Sequence, residues 1–487
     1  MEFIGRKDYL SQLDSLWRKR SASLVTCQGR RRIGKSRLID EFAACSDCRY
    51  LKLSGLAPRL KMTNRDQLRY FADKLTAETG VAYAEPANWI EAFLSLDRAV
   101  AALGGSRVVV LLDEISWLGK FDPDFPGYLK DAWDDRLKKH DNLILVLCGS
   151  VSSWIQKNIL DSTGFVGRIS LELVLTELPI CDCVRFWRQM ADSISSQEVF
   201  DMISVVGGVP RYLEEIDPSL TTNENIRRLA FTKSGTLFKD FKQIFADVFG
   251  KKAKDKGDIL RALAFESKTL TEIAATLRKE RNGHLSAALD ELEQAGFVER
   301  ERGLNPATGE ELKKDCYRIR DNYTRFYLRY IEPNSVLIRR GAFSFVSLDA
   351  LSGWNAVLGL QFENMILNNS AEIIARLGLD RSLVLSCAAY RKAASRKGVG
   401  GCGSEDKGGC QIDLLIQLRQ SMYVVEIKRK TEIGLEVVEE VKRKIRRLPN
   451  PNGLSVRPVL VYDGKLSPSV RENAYFVALI KASELMR

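Results

Sequence analysis

The run GRRRIGKS at 29–36 constrains this chain more than any other feature of its sequence. It follows a short β-type apolar run, Leu24 to Cys27, and precedes a helical pattern. The spacing G-x-x-x-x-G-K-[ST] lets glycines wrap the backbone around a phosphate chain, while amides at the helix N-terminus face the phosphates. A strand, a glycine-rich turn and a helix in this order predict a nucleotide-binding α/β domain.

The spacing also assigns roles to single residues of this loop. Lys35 is expected to reach the β- and γ-phosphates of ATP, and the Ser36 hydroxyl is expected to bind Mg²⁺. At least one of the three arginines at 30–32 is expected at a phosphate, with the others solvated. The predicted nucleotide-binding segment consists of Gly29, Arg30, Arg31, Arg32, Ile33, Gly34, Lys35, Ser36 and Arg37.

Two further apolar runs end in polar residues. Val108 to Leu112, in RVVVLLDEISWL, predicts a strand buried on both faces, as in a parallel sheet. Asp113 and Glu114 follow at its carboxyl end, where open α/β sheets bind ligands. Asp113 is expected to hold Mg²⁺ through water and Glu114 to deprotonate the attacking water; polar residues that only end a strand are the alternative. LILVLCGS at 143–150 ends in Ser150, a candidate sensor of the γ-phosphate, so the three elements together predict an ATPase.

Residues 1–215 resemble the archaeal and bacterial DEXX-type ATPases, relatives of the AAA+ and STAND classes. The resemblance is carried by FIGRKDYLSQL at 3–13, GRRRIGKS, LLDEISWL, CGSVSSW at 148–154 and GGVPRYL at 207–213. It implies that Ile4, Gly5 and Arg6 lie at the adenine and that Pro210 lies near the nucleotide. It also makes Arg168 a candidate sensor of the γ-phosphate, with a structural salt bridge as the alternative.

The middle of the chain predicts short helices and a hairpin. KKAKDKGD at 251–258 is expected to be an exposed linker. Helices are expected at 259–265, at 270–277 and from 283 to a stop at Gly296, and the segments 297–302 and 316–320 are expected to pair. This order resembles a winged helix, which often reads DNA through its third helix. Packing between domains is the equal alternative, and Lys313 and Lys314 are the best candidates for DNA contact.

The strand MYVVEIKRK at 422–430 places Glu426 and Lys428 on one face, because side chains alternate along a strand. They form either a structural salt bridge or the edge of an active site. Asp413 lies in the preceding strand, QIDLLIQ, and Glu363 lies in the helix WNAVLGLQFENMILNN at 354–369. Clustered carboxylates hold Mg²⁺ in phosphodiester hydrolysis, and a lysine offsets charge on the phosphate.

The order of helix, hairpin, helix and strand around these charges resembles the PD-(D/E)xK nuclease fold. The resemblance implies that Asp413 and Glu426 are metal ligands, that Glu363 is an accessory ligand and that Lys428 is catalytic. Ile412 stands where the typical proline precedes the first aspartate. Many domains of this fold bind nucleic acid rather than cut it.

The composition indicates which partners, metal sites and cellular location to expect. A net charge of +11 favours a polyanionic partner such as DNA. Cys45 and Cys48 lack a second pair at zinc-finger spacing, so the ten cysteines are expected to be structural, with Cys402 and Cys410 left open. No apolar run approaches the length of a membrane span and no secretory signal is visible, which predicts a cytoplasmic protein without membrane contact.

The sequence thus predicts an α/β chain of three domains: a P-loop ATPase with a parallel sheet at 1–215, a helical linker and winged helix at 216–335, and a nuclease-like α/β domain at 336–487. Two functions fit. One is an ATPase that acts on DNA through the winged helix and a Mg²⁺-dependent nuclease-like domain, with assembly into a homo-oligomer through its ATPase domain as a further expectation. The other is an ATP-gated switch or scaffold whose C-terminal fold binds without cleaving.

Overall fold

The computed structural model describes residues 2–150, 152–306, 308–311, 316–343, 347–392 and 409–486. These residues form two compact units. The first runs up to Leu178 and includes Val209–Arg211 and Gln294–Gly296, and the second comprises Pro179–Gly208, Tyr212–Glu293 and the residues from Phe297 onward. The sequence boundaries at 215 and 335 stay a prediction.

The first unit is built on a parallel five-stranded sheet with the order β2-β3-β4-β1-β5. Each neighbouring pair in it runs parallel. The strands are β1 (Ser23–Gln28), β2 (Cys48–Ser54), β3 (Arg107–Asp113), β4 (Leu143–Gly149) and β5 (Ile169–Val174). The predicted α/β class with a parallel sheet is confirmed, and the three predicted strands are β1, β3 and β4.

Helices cover this sheet, and their aromatic side chains contribute to its core. Trp89, Phe93 and Phe125 are buried together with the apolar residues of β3 and β4. The helices are α1 (Lys7–Lys19), α2 (Lys35–Cys45), α3 (Asn64–Thr79), α4 (Trp89–Ala102), α5 (Ile115–Leu118), α6 (Phe125–Asp135) and α7 (Ser152–Ile155).

After residue 178 the chain is mainly helical until it reaches a second large sheet, and two more helices connect strands of that sheet. These helices are α8 (Ile180–Val184), α9 (Ser196–Val206), α10 (Pro210–Leu213), α11 (Thr222–Ala230), α12 (Thr236–Phe249), α13 (Ala253–Leu263), α14 (Leu270–Leu277), α15 (Gly283–Gln294), α16 (Asn322–Phe326), α17 (Ser335–Arg339), α18 (Trp354–Asn368), α19 (Ser370–Arg376), α20 (Glu436–Arg447) and α21 (Pro468–Glu472). The strands are β6 (Lys268–Thr269), β7 (Val298–Glu301), β8 (Cys316–Ile319), β9 (Ser386–Lys392), β10 (Cys410–Gln417), β11 (Ser421–Ile433), β12 (Ser455–Leu466) and β13 (Ala478–Lys481).

A small antiparallel sheet of order β6-β8-β7 accompanies α13, α14 and α15. The predicted helices and the pairing of 297–302 with 316–320 are confirmed. The expectation of an exposed linker at 251–258 was wrong, because α13 begins at Ala253 and buries Lys256. The Lys256 ammonium lies 2.6 Å from a Glu291 oxygen and over the Phe249 ring, so its charge is compensated inside the fold.

The C-terminal sheet has the order β13-β12-β11-β10-β9. β10 pairs antiparallel with β9 and β11, whereas β11, β12 and β13 run parallel. The predicted order of helix, hairpin, helix and strand corresponds to α18, β10–β11, α20 and β12. The edge strands β9 and β13 were not predicted from the sequence.

The aromatic residues that follow β8 belong to the interior. Tyr323, Phe326, Tyr327 and Tyr330 are each buried. Their burial favours core packing over the stacking of nucleic-acid bases. In the part of the chain that the structure describes, no helix is long and apolar enough to span a bilayer.

Candidate functional sites

The phosphate loop links β1 to α2 through two glycines at positive φ. Gly29 has a φ of 144°, and a Cβ there would lie 2.5 Å from the Leu175 carbonyl oxygen. Gly34 has a φ of 88° and immediately precedes Lys35, the first residue of α2. Only glycine accommodates such a close approach and such a backbone without strain. The loop therefore presents the N-terminus of α2 as an anion site.

Lys35 and Ser36 occupy the first turn of α2. The Lys35 ammonium is buried and donates to the carbonyl oxygens of Gly29 and Arg30, at 3.0 and 3.1 Å. The Ser36 hydroxyl donates to Asp113 Oδ2 at 2.8 Å. A hydroxyl and a carboxylate side by side are oxygen donors of the kind that Mg²⁺ prefers, so these two residues fit the ion that accompanies ATP.

Glu114 is held by Ser150. Strand β4 lies between β1 and β3, and Ser150 follows its carboxyl end. Ser150 therefore lies between the phosphate loop, which follows β1, and Glu114, which follows β3. The Ser150 hydroxyl lies 2.9 and 3.1 Å from the Glu114 carboxylate oxygens, and the Ser150 amide donates at 3.3 Å. Glu114 itself adopts a left-handed backbone with a φ of 50°. A non-glycine residue in this conformation is uncommon and occurs often at functional sites.

Arg6 and Pro210 both lie at the phosphate loop, and the place near the nucleotide that the resemblance implied for Pro210 stays a prediction. The Arg6 guanidinium donates to the Ile33 carbonyl at 3.2 Å and to the Thr176 carbonyl at 2.6 Å. A Cβ on Gly34 would lie 3.9 Å from Pro210 Cγ. The adenine-pocket role of Ile4, Gly5 and Arg6 stays a prediction.

The arginines of the loop point in different directions. Arg30 is buried with Nη1 3.7 Å from Glu177 Oε1, and Arg31 lies over the Trp117 ring. Arg32 is exposed, and exposed Arg37 pairs with Glu41 one turn later at 3.4 Å. Which of them contacts a phosphate stays a prediction.

Arg168 is engaged by Asp134. Its Nε and Nη2 each lie 2.8 Å from a different carboxylate oxygen, and these hydrogen bonds hold the pKa of Asp134 below its ordinary value despite partial burial. This arrangement is the salt bridge that the sequence left as the alternative to a γ-phosphate sensor. The sensor role stays a prediction.

The second site lies in the C-terminal sheet. Asp413 on β10, Glu426 on β11 and Glu363 on α18 influence one another electrostatically. The Ile427 amide donates to Asp413 Oδ2 at 2.9 Å, which ties β10 to β11. The Lys428 ammonium lies 2.8 Å from Glu426 Oε1, so the pair predicted from strand alternation is formed.

Burial and like charge raise the pKa of each carboxyl. Burial and then the Glu363 charge raise the pKa of Asp413 to about 6. Burial and then the Asp413 charge raise the pKa of Glu426 to about 7. Burial also raises the pKa of Glu363, against the opposing effect of Arg325. Clusters of this kind are typical of functional sites, where charges are concentrated for binding or chemistry.

Two residues of α20 complete the cluster, and sequence reasoning missed them. The Lys444 ammonium lies 2.7 and 2.6 Å from the two oxygens of Glu426. Glu440 Oε1 lies 3.0 Å from the Lys428 ammonium and 3.4 Å from that of Lys444. Glu440 and Lys444 are four residues apart and lie on the same side of the helix as the buried Val437 and Val441, which is the signal that could have placed both towards the sheet.

The fit to a metal ion is mixed at this site. Three carboxylates of raised pKa are the donors that a hard divalent cation prefers. Yet among the residues described in the two units, no three His, Cys, Asp or Glu side chains are arranged to hold a metal. In this structure the positive charge at both oxygens of Glu426 is the Lys444 ammonium.

Helix α15, the third helix of the predicted winged helix, bears acidic residues, which disfavour contact with DNA. Glu291 pairs with Lys252 and Lys256, Glu293 pairs with Arg302 at 3.1 Å, and Asp290 approaches Arg300 at 4.0 Å. Its negative charges are therefore offset within the same unit. The expected contact residues Lys313 and Lys314, and also Cys402, lie outside the described residues.

The comparisons with known proteins define the class of the first site. A family model described as an ATPase domain predominantly from Archaea matches residues 3–216. The phosphate loop, Asp113 and Glu114 lie within this range, so the amino-terminal part of the chain is a P-loop ATPase domain.

An uncharacterized protein of Methanocaldococcus jannaschii is 25% identical over 367 residues, which cover 74% of this chain and 76% of the relative. A Walker-type ATPase of Pyrococcus abyssi is similar in structure, with 17% identity, a TM-score of 0.47 and coverage of 67% of this chain and 96% of its own. The ORC2 protein of Aeropyrum pernix gives 14% identity, a TM-score of 0.42 and coverage of 69% and 94%. Because these TM-scores are low, the assignment of the α/β fold rests on the observed order of the parallel strands and not on these two structures.

Proposed function

We propose that the chain is an ATPase whose nucleotide cycle controls a C-terminal site that acts on DNA with the help of a divalent cation. The observation that carries this proposal is the assembly of Glu363, Asp413, Glu426 and Lys428 from one helix and two strands into a single buried cluster. Charges brought together inside a core are costly to bury unless they are paired or hold an ion.

In the ATPase domain, Lys35 and the amides of the loop would bind the phosphates, while Ser36 and Asp113 would hold Mg²⁺. The bound ion supplies charge neutralisation at the β- and γ-phosphates. Glu114 would accept a proton from the attacking water. Ser150, which now donates to Glu114, would be free to sense the γ-phosphate once Glu114 turns towards water.

In the C-terminal site, Asp413 and Glu426 would be the ligands of the cation, with Glu363 as an accessory ligand. The ion would activate water and stabilise the leaving oxygen of a phosphodiester. Lys428 would offset the charge of the scissile phosphate. The helices α13 to α15 with the sheet β6-β8-β7 support a winged-helix module, and the net charge of +11 supports DNA as the partner.

The second candidate is an ATP-gated switch whose C-terminal fold binds DNA or protein without cleaving it. One observation favours it, namely the two ammonium groups that already neutralise Glu426. A site closed by its own lysines can serve as a rigid binding module.

A cleavage assay separates the two. Supercoiled plasmid and single-stranded DNA are incubated with Mg²⁺ or Mn²⁺, with and without ATP, using the wild type, Glu426→Ala and Lys428→Ala. Cleavage that disappears in both variants supports the nuclease. Intact ATP hydrolysis without cleavage in any condition supports the switch, and DNA retention on a filter then tests whether the fold binds.

A further inference from the structure

The Lys444 ammonium lies where a cation shared by two carboxylates would lie. Its Nζ contacts both oxygens of Glu426, at 2.7 and 2.6 Å, and lies 4.0 Å from Asp413 Oδ1. A chelated ion approaches both oxygens of one carboxylate in the same manner. Glu426 and Asp413 therefore have Lys444 as their common positive charge.

Lys428 occupies a different place. Its ammonium contacts one oxygen of Glu426 at 2.8 Å and turns towards Glu440 at 3.0 Å. It does not bridge the two oxygens of Glu426, and it lies on the strand rather than on α20. The two lysines are therefore not equivalent, and Lys444 is the one that holds the central position.

The core requires this charge. Glu426 is fully buried and Asp413 is 7% exposed, so two adjacent carboxylates without a cation would be strongly destabilising. A divalent ion binds carboxylate oxygens at about 2.0–2.6 Å. It cannot share the Glu426 oxygens with an ammonium group about 3 Å away, because the two cations repel each other.

We propose that Lys444 is an intramolecular cation that holds the metal position of the C-terminal site, and that a divalent ion binds only when this side chain leaves Glu426. The inference rests on the metal site of the proposed function and adds the residue that controls access to it. Glu440 gives the displaced ammonium a destination, since it lies one helical turn earlier, 3.4 Å from Nζ, and is 30% exposed. Lys444 can thus move outward without losing a counter-charge.

The test measures binding of Mn²⁺ alone to the full-length, nucleotide-free protein, by the loss of the free-Mn²⁺ electron paramagnetic resonance signal. Lys444→Met removes the charge and keeps an apolar stem. Lys442→Met is the matched control, because Lys442 lies on the same helix, pairs with the exposed Glu439 and lies over the Tyr475 ring, away from Glu426. The double variant Asp413→Asn/Glu426→Gln identifies the ions bound at this site.

The expected result is that Lys444→Met binds Mn²⁺ at least about tenfold more tightly than the wild type, which corresponds to removal of one nearby positive charge. Lys442→Met should match the wild type, and the double variant should lose the ions. Without Mn²⁺ the thermal midpoint of Lys444→Met should be lower than that of the wild type. With Mn²⁺ it should rise by more than the wild-type midpoint rises.

Unchanged or weaker affinity in a folded Lys444→Met protein overturns the inference. If that variant does not fold, Lys444→Gln takes its place, because its amide can still donate to Glu426 without carrying a charge. A Mn²⁺ affinity of Lys444→Gln no tighter than that of the wild type then also overturns the inference. Cleavage by the wild type together with unchanged affinity would reject the inference and keep the nuclease. Tighter affinity without cleavage in any protein would keep the inference and reject the nuclease, and no binding in any protein would reject both the inference and the metal site.

Discussion

The ATPase site and the C-terminal site each contain a buried lysine, and the two lysines differ in their partners. Lys35 donates to two backbone carbonyls within its own loop, five and six positions away. Lys444 donates to the carboxylate of Glu426, eighteen positions earlier and on a different element. The first ammonium has neutral acceptors, whereas the second is part of an ion pair.

This difference matches the two sites as we propose them, an anion site at the phosphate loop and a cation site in the C-terminal sheet. Neutral carbonyls leave the Lys35 charge uncompensated, so an incoming phosphate gains a charge-assisted hydrogen bond. At the C-terminal site the positive charge is already satisfied, and the surplus charge is negative. In our proposal an ion there would compete with the Lys444 ammonium, whereas ATP would replace hydrogen bonds from Lys35 to two backbone carbonyls.

The largest effect is expected at Glu114. Glu114→Gln keeps the size of the side chain and an acceptor for Ser150 but removes the proton acceptor, so ATP hydrolysis should fall on the order of 10³-fold. Phosphate release under saturating ATP measures this effect, with nucleotide affinity unchanged. The exposed Glu78→Gln is the control; hydrolysis at the wild-type rate would remove Glu114 from the chemistry.

Lys35→Ala tests whether the Lys35 ammonium, which is bonded to two neutral carbonyls, is available to bind the phosphates of ATP. Loss of a charge-assisted contact to the phosphates should weaken ATP binding roughly 100-fold or more while the fold stays intact. Titration with a fluorescent ATP analogue measures the affinity, and circular dichroism measures the fold. Affinity equal to that of the exposed Lys19→Ala control would refute the phosphate-loop assignment.

Glu426→Gln tests the surplus of negative charge at the C-terminal site. The pKa of Glu426 is raised from 4.5 to about 7, so the folded state binds a proton more tightly than the unfolded state. Wild-type stability should therefore fall as pH rises from about 4.5 through about 7. Glu426→Gln has no carboxyl group to ionise at this position, so its stability should lack this pH dependence.

The measurement is the free energy of unfolding by urea between about pH 5 and pH 8, without metal. Relative to Glu426→Gln, the wild type should lose about 1–3 kcal/mol over this range. Glu432→Gln, on an exposed position of the same strand, should follow the wild type. Parallel pH curves for wild type and Glu426→Gln would mean that Glu426 ionises normally.

The smallest effect is expected at Arg168, whose partner Asp134 lies near the surface. Arg168→Ala should shift the thermal midpoint by no more than about 3 °C and change ATP hydrolysis by less than about twofold, as for other part-exposed ion pairs. Asp134→Asn should shift the midpoint at least as far, because Asp134 also pairs with Lys130 and Lys138. A large loss of hydrolysis in Arg168→Ala alone would instead support the γ-phosphate sensor.

Much of the ATPase site could be predicted because its motif is contiguous. The loop from Gly29 to Ser36 sets its own backbone, and the polar residues after β3 and β4 meet because parallel strands end at one edge. The partners of Arg168 and the bond from Ser150 to Glu114 could not be predicted in the same way, since they join segments far apart in sequence.

The chain by itself determined the phosphate loop, the parallel sheet and the same-face placement of Glu426 and Lys428, since these follow from local spacing and strand alternation. Only the tertiary structure decided that Lys256 is buried and that Lys444 bridges the oxygens of Glu426. A charged residue shows no sign in the sequence of which distant partner will compensate it. Its burial depends on that partner, because the cost of removing a charge from water is met only at short range.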